Sequence, residues 1–151
     1  MNEAMWEAQK QKAETLGRNI MIVWGGTTSK GGQGGAGRRV SLTLDDYFLL
    51  KAQATHLRCL SPEITRGMLV QSHLNNGSFD VHGVYPDYMQ MRSIAVQPDG
   101  RLIHQGDNAG AQRVCILGDE VKQQLFEKNR AVGENVMIGG LPYLVVSGRA
   151  Q

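Results

Sequence analysis

Gly139-Gly140 sits between two apolar runs, Val136-Met137-Ile138 and Leu141-Pro142-Tyr143-Leu144-Val145-Val146. A glycine pair supplies both positive-φ positions of a tight turn, so the two runs are expected to pair antiparallel through a two-residue loop. That pairing pins the last third of the chain. Val114-Cys115-Ile116-Leu117, closed by Gly118, has the length and apolarity of a buried strand. Asp119 can cap a short helix in which Val121, Leu125 and Phe126 share one side. Gly133 marks a turn. Arg113 to Ser147 therefore reads strand, short helix, strand, tight turn, strand.

The rest of the chain is read outward from there. Residues 3–16 are helix-prone, with a thin apolar stripe (Met5, Ala8, Ala13, Leu16) and Gly17 as a C-terminal cap. Asn19 to Trp24 is apolar enough for a central strand. Gly25 to Gly37 is glycine-rich, but it lacks the G-x-x-x-x-G-K-[ST] spacing that leads into a helix and cradles phosphate; it reads as a loop. Thr43 with Asp46 fits a capping box, predicting a helix from about Leu44 to Thr55 with Tyr47, Leu50 and Ala54 on its apolar side. A strand over 57–66, interrupted by Ser61-Pro62, would complete a β-α-β unit with parallel pairing. Met68–Leu74 and Ser78–Val84 flank Asn75-Asn76-Gly77, a strong hairpin signal. Phe79, Val81 and Gly83 alternate with Ser78, Asp80, His82 and Val84, which predicts one solvated face. Pro86 to Met91 reads as one helical turn, Gln97-Pro98-Asp99-Gly100 as a turn, and Asp107 or Asn108 as the start of another helical turn.

Composition narrows the function classes. The 16 basic and 14 acidic residues leave a net charge of +2, which gives no case for nucleic acid. No stretch approaches the roughly 20 apolar residues of a membrane helix, and there is no signal-peptide pattern. Cys59 and Cys115 read as two small hydrophobes; a disulfide between them needs geometry that spacing alone does not supply.

No catalytic constellation emerges. His73 and His82 lie on opposite arms of the expected hairpin, with Asp80 on the face of His82, but two imidazoles without a third ligand are not a metal site. His56 and His104 stand apart. Asp45-Asp46 and Asp119-Glu120 fall at expected helix starts, where acids complement free N–H groups. The serines lack a G-x-S-x-G elbow. The expectation is a domain that is not an enzyme, with no metal and no cofactor.

The ordered set Val114-Cys-Ile-Leu-Gly118, Leu125-Phe126, Val132-Gly133, Val136-Met-Ile-Gly139-Gly140 and Tyr143-Leu-Val-Val146 resembles the periplasmic core domain of MacB-type ABC transporter permeases. Val81-His-Gly-Val-Tyr-Pro-Asp-Tyr88 before Gly100-Arg101, and Leu16–Val23 before Leu42-Thr-Leu-Asp-Asp46, match the same family in the same order. The resemblance implies an α+β fold, with a β-α-β porter-like unit beside a smaller, mainly β subdomain with short helices. Residues 1–18 would be a helix extending from the first transmembrane segment, 19–66 the porter-like unit, incomplete in this chain, and 67–151 the mainly β subdomain.

It also implies the extracytoplasmic, periplasmic part of an inner-membrane permease that couples cytoplasmic ATP hydrolysis to motion outside the membrane for export or efflux. Implied partners are an ATP-binding domain or subunit, a periplasmic adaptor protein, an outer-membrane channel, and a second permease as homodimer or pair. Asn75, Asn76 and Gly77 at the hairpin tip, with Ser29 and Lys30 in the glycine-rich loop, are the partner-contact candidates. The alternatives are a stand-alone small-molecule-binding module using loop 25–37, and a hydrolase with unrecognised residues.

Overall fold

The computed structural model describes residues 20–27, 37 and 39–148. The expected helix over 3–16 lies outside them, as does most of the glycine-rich loop. The chain divides into two compact units, Met1–Pro62 and Glu63–Gln151. The division falls at Pro62 because the first strand starts at Glu63, a few residues before the expected boundary at 66.

In the first unit, helix α1 (Leu44–Gln53) starts at the expected capping box. The Thr43 N–H donates to Asp46 Oδ2 at 2.8 Å, and the Asp46 N–H donates back to Thr43 Oγ1 at 3.4 Å. The Thr43 N–H and then the Thr43 hydroxyl, which donates to Asp46 Oδ2 at 2.9 Å, hold the Asp46 carboxyl below its ordinary range. The helix ends at Gln53, short of the expected Thr55. Tyr47 is its buried residue, while Leu50 is exposed, so the apolar face is narrower than expected.

The strands expected on either side of α1 are not formed. Residues 20–26 and 57–62 carry no ladder, so the β-α-β unit is absent among the described residues. An isolated antiparallel bridge, Thr27–Arg39, instead closes the ends of the glycine-rich segment, and the Val40 N–H donates to the Gly26 carbonyl at 2.7 Å. Gly25 approaches the Val40 carbonyl so closely that a Cβ there would overlap it. Among the described residues these segments have no partner sheet, which is the physical reason for the missing strands. Two parallel strands and one helix bury too little to hold a ladder. Met21 and Trp24 are left 76% and 77% exposed.

The second unit holds the sheet. Its strands are β1 (Glu63–Gln71), β2 (Asn76–Val84), β3 (Val114–Leu117), β4 (Asn135–Ile138) and β5 (Leu141–Gly148), in the order β2-β1-β4-β5-β3. All neighbours are antiparallel except β3 and β5, which run parallel. Three short helices join them: α2 (Asp87–Met91), α3 (Gln105–Ala109) and α4 (Asp119–Phe126). Gly139 and Gly140 take φ of 57° and 84° and close the expected β4–β5 turn. Gly118, not Asp119, is the N-cap of α4, and Asp119 and Glu120 occupy its first turn.

One face of the sheet carries the core. Val70, Val136, Ile138 and Val145 pack with Leu117, Ala131 and with Leu125 and Phe126 of α4. Met68, Phe79, Val81, Cys115, Val121 and Tyr143 close around them. The opposite face leaves Leu69, Met137 and Leu144 exposed. Beside the end of β5, the 97–101 segment is held by Gln97 N–H to the Gly148 carbonyl at 3.2 Å and Arg101 N–H to the Val146 carbonyl at 2.9 Å. Gly100 lies against the buried Ser147, where any Cβ would overlap the serine side chain.

The chain leaves α4 under strain. Glu127 has φ 54° and ψ −119°, a backbone region natural to glycine. Glu127→Gly is expected to stabilise the unit by about 1 kcal/mol. Thermal unfolding followed by circular dichroism checks this; an unchanged or lower midpoint would count against strain at this position.

Candidate interaction surface

The β1–β2 pair is the most prominent local structure of the second unit. Its nine register pairs run from Glu63–Val84 to Gln71–Asn76, but β1 pairs with β4 only at Val70 and Gln71. The Glu63 end is therefore a two-stranded ribbon reaching beyond the rest of the sheet. Gly77, Phe79, Val81 and Gly83 lie on the core side, as the alternation predicts. Ser78, Asp80 and His82 lie on the exposed side.

The loop of this hairpin is not where Asn-Gly would place it. Asn76 and Gly77 are already in β2, opposite Gln71 and Val70. The loop is Ser72–Asn75, closed by Ser72 N–H to the Asn75 carbonyl at 2.8 Å. Register decides: Phe79 sits opposite Met68 and packs on the core, which leaves Gly77 beneath the Phe79 ring and Gln124. A side chain at Gly77 would collide with both. Asn76 and Gly77 are thus not tip residues, and Asn75 alone of the three candidates is in the loop.

Nor does the loop swing free. Ser72 Oγ accepts from the Leu74 and Asn75 N–H groups at 3.1 and 3.0 Å and donates to the Leu125 carbonyl at 2.6 Å. Asn75 Nδ2 reaches Glu127 Oε1 at 3.4 Å. His73 lies edge-on to the Phe126 ring, with centroids 5.9 Å apart. Ser72 is a residue that sequence reasoning missed. Its signal is a serine directly after an apolar run and before the loop, the usual place for a hydroxyl that satisfies turn N–H groups. Ser72→Ala is expected to cost about 1.5 kcal/mol, because the Leu125 carbonyl and two loop N–H groups lose their partner together. Urea unfolding checks the figure; a loss under half of it would mean that water replaces the hydroxyl.

The histidines separate. His73 is in the loop, whereas His82 is opposite Thr65 near the far end of the ribbon, so they are not cross-strand neighbours. His82 Nδ1 donates to Glu63 Oε1 at 2.8 Å, with Thr65 Oγ1 at 3.1 Å from the same nitrogen. Among the described residues no group of three or more His, Cys, Asp or Glu is arranged to hold a metal ion.

His104 has a different task. It is the N-cap of α3, and its Nδ1 accepts from the Gly106 and Asp107 N–H groups at 3.1 and 3.3 Å. Asp107, expected as a helix start, is the third helical residue; its Oδ2 accepts from the His104 N–H at 3.0 Å. Arg101 grips the same carboxylate with two parallel bonds of 2.7 and 2.8 Å. Its guanidinium, helped by the His104 N–H, holds the buried Asp107 carboxyl at about 2, below its ordinary 3.8.

Cys59 and Cys115 are both free. Burial pushes the Cys115 thiol up to about 12, so it stays protonated and acts as the small hydrophobe its neighbours suggested. Ser29 and Lys30 lie outside the described residues. Chemically, the second unit offers strand edges, a braced loop and an open sheet face, with no assembled nucleophile and base among the described residues.

Comparison with known proteins gives these surfaces a context. The model of the MacB-like periplasmic core domain matches residues 2–148. The macrolide export ATP-binding/permease protein MacB of Bdellovibrio bacteriovorus is 29% identical over 140 residues, covering 91% of this chain and 21% of that protein. MacB of Pasteurella multocida is 27% identical over 147 residues, or 95% and 22%. The chain thus spans about a fifth of the length of these relatives. The fold matches the periplasmic region of MacB from Actinobacillus actinomycetemcomitans with a TM-score of 0.74 at 16% identity, over 93% of this chain and 64% of that one. It matches the extracellular domain of the noncanonic ABC-type transporter YknZ with a TM-score of 0.67 at 24% identity, over 73% and 58%. No helix among the described residues is long and apolar enough to cross a membrane. With the family model matching almost end to end and the sheet unit folding as those outer domains do, this chain belongs to the MacB-like periplasmic core domains of ABC transporter permeases.

Proposed function

We propose that this chain transmits motion, acting as the non-catalytic outer domain of an export-type ABC permease. ATP hydrolysis in a cytoplasmic domain or subunit would supply the work. The domain would carry it to partners outside the membrane, a periplasmic adaptor and an outer-membrane channel among them. The observation that carries this reading is the family match over residues 2–148. The structure adds two supports. The second unit has a braced hairpin and an ion-paired loop, cross-links of the kind that a force-transmitting domain needs. The first unit exposes Met21, Trp24, Leu42, Phe48 and Leu49, an apolar set that a transporter would cover with protein.

The test compares the parent transporter with one in which this domain is replaced by a flexible Gly-Ser linker. ATP hydrolysis in isolated membranes is expected to persist, while export by cells is lost. Export at the normal rate without the domain would overturn the reading.

A further inference from the structure

Among the described residues β2 has one strand neighbour, β1, so its other edge is open. Natural edge strands are shortened, bulged or armed with lysine or proline to prevent pairing. The opposite edge follows that rule: β3 has four residues, with a register irregularity between Cys115 and Ile116. β2 does not. It runs for nine residues, Asn76–Val84, in unbroken register, with no proline and no lysine.

The geometry of that edge can be worked out. Ser72 N–H bonds to the Asn75 carbonyl, so Ser72–Asn75 is a hydrogen-bonded pair, and such pairs alternate along the ladder. Gly77, Phe79, Val81 and Gly83 therefore turn their backbone groups toward β1. Ser78, Asp80, His82 and Val84 present theirs to the open edge. The Leu69 carbonyl agrees, since it faces away from β2 and accepts from Gly139 N–H at 3.2 Å.

We propose that this edge pairs with the same edge of a second copy, antiparallel and centred on Val81. The pairing is twofold, so each contact occurs twice. It sets Asp80 of one copy opposite His82 of the other, and Ser78 opposite Val84. On the core side, Val81 meets Val81 and Phe79 covers Gly83. Charge picks the register. Shifting it by one residue on each strand toward Asn76 places Asp80 opposite Asp80, which repels; the opposite shift places His82 opposite His82 and leaves Asp80 facing Val84. Asp80 is exposed and has no ion pair or hydrogen bond among the described residues. His82 spends only Nδ1 on Glu63 and Thr65, and in the doubly protonated ring the Nε2–H is left to donate to an acceptor such as the second copy's Asp80. A single strand pair is a small interface, so the association is weak, with a dissociation constant on the order of 100 μM.

The inference rests on the sheet edge and not on the transport reading. Sedimentation velocity of the 151-residue chain over a concentration series is the first test. A concentration-dependent dimer is expected, and Asp80→Lys should weaken it about tenfold, because two favourable pairs are lost at once and lysine guards edges. Register is read by disulfide trapping with Cys59 and Cys115 replaced by serine. Val81→Cys should cross-link to itself under mild oxidation, well ahead of Phe79→Cys. A monomer throughout the series overturns the proposal. So does a dimer indifferent to Asp80→Lys, or equal cross-linking at residues 79 and 81. Unchanged circular dichroism of each variant excludes misfolding as the cause.

Discussion

Replacing Phe126 with alanine should remove about 4 kcal/mol from the stability of the Glu63–Gln151 unit. Phe126 is fully buried at the end of α4, beside the equally buried Leu125 and against Val136 and Val145 of the sheet. Its loss combines the transfer cost of the ring with the cavity left behind, and the site has little freedom to collapse. The hydrogen bond from Ser72 to Leu125 fixes the loop on one side, and the strained turn at Glu127 fixes the exit of the helix on the other. The His73 ring would also lose the edge-on contact it makes with Phe126. Domains of this kind have roughly 5–15 kcal/mol in total, so the loss takes between about a quarter and four fifths of it. Urea unfolding followed by circular dichroism gives the number. A loss below about 1.5 kcal/mol would show that the core is looser than its burial implies.

Asp107→Asn carries the second-largest effect, about 2 kcal/mol. The substitution keeps the shape but leaves Arg101 without its anion and weakens the return bond to the His104 N–H. Arg101 is 43% exposed, so water relieves part of the loss, and the figure stays below that of a fully buried pair. The same carboxylate sets a pH dependence. Its folded pKa is depressed, from 3.8 to about 2, so the bond is stabilising above the unfolded pKa. That contribution fades as pH falls from about 4 toward 2. The gap in unfolding free energy between the natural protein and Asp107→Asn should therefore shrink across that window and stay flat above pH 5. A gap that is constant from neutral pH down to pH 2 would mean that the ion pair adds nothing to folding.

What could be read from the sequence is what local chemistry decides. Gly139-Gly140 specified its turn because only glycine accepts two consecutive positive φ values at no cost. Thr43 and Asp46 specified the start of α1 because both halves of a capping box lie within four residues. Leu125 and Phe126 fell in the core because helix periodicity placed them there. What failed depended on partners elsewhere in the chain. Asn19–Trp24 has the composition of a central strand, but composition cannot supply the neighbouring strands that such a strand needs, and residues 20–26 form no ladder.

Asn75-Gly77 carries a real turn signal, which the register of Phe79 and Val70 overrode. The ion-paired loop was partly visible. His104-Gln105-Gly106-Asp107 repeats the spacing of Thr43-Leu44-Asp45-Asp46, with histidine in place of the hydroxyl residue; the Arg101 partner shows only once the chain has turned at Gly100. The parallel pair predicted around α1 exists instead as β3 and β5, bracketing α4.

The unequal bonding of β1 has a mechanical consequence. From Glu63 to Met68 the strand is tied only to β2, a span of about 17 Å at the usual rise per residue. A pull on Glu63 along the strand loads the four hydrogen-bonded pairs of the hairpin in shear, all at once, which is the direction in which a ladder resists most. A sideways pull on the same residue opens them one at a time, which needs far less tension. The braced loop at Ser72 then marks where such peeling stops, because beyond it the load passes into α4 and the packed core. The ribbon is therefore stiff to force along its length and compliant across it.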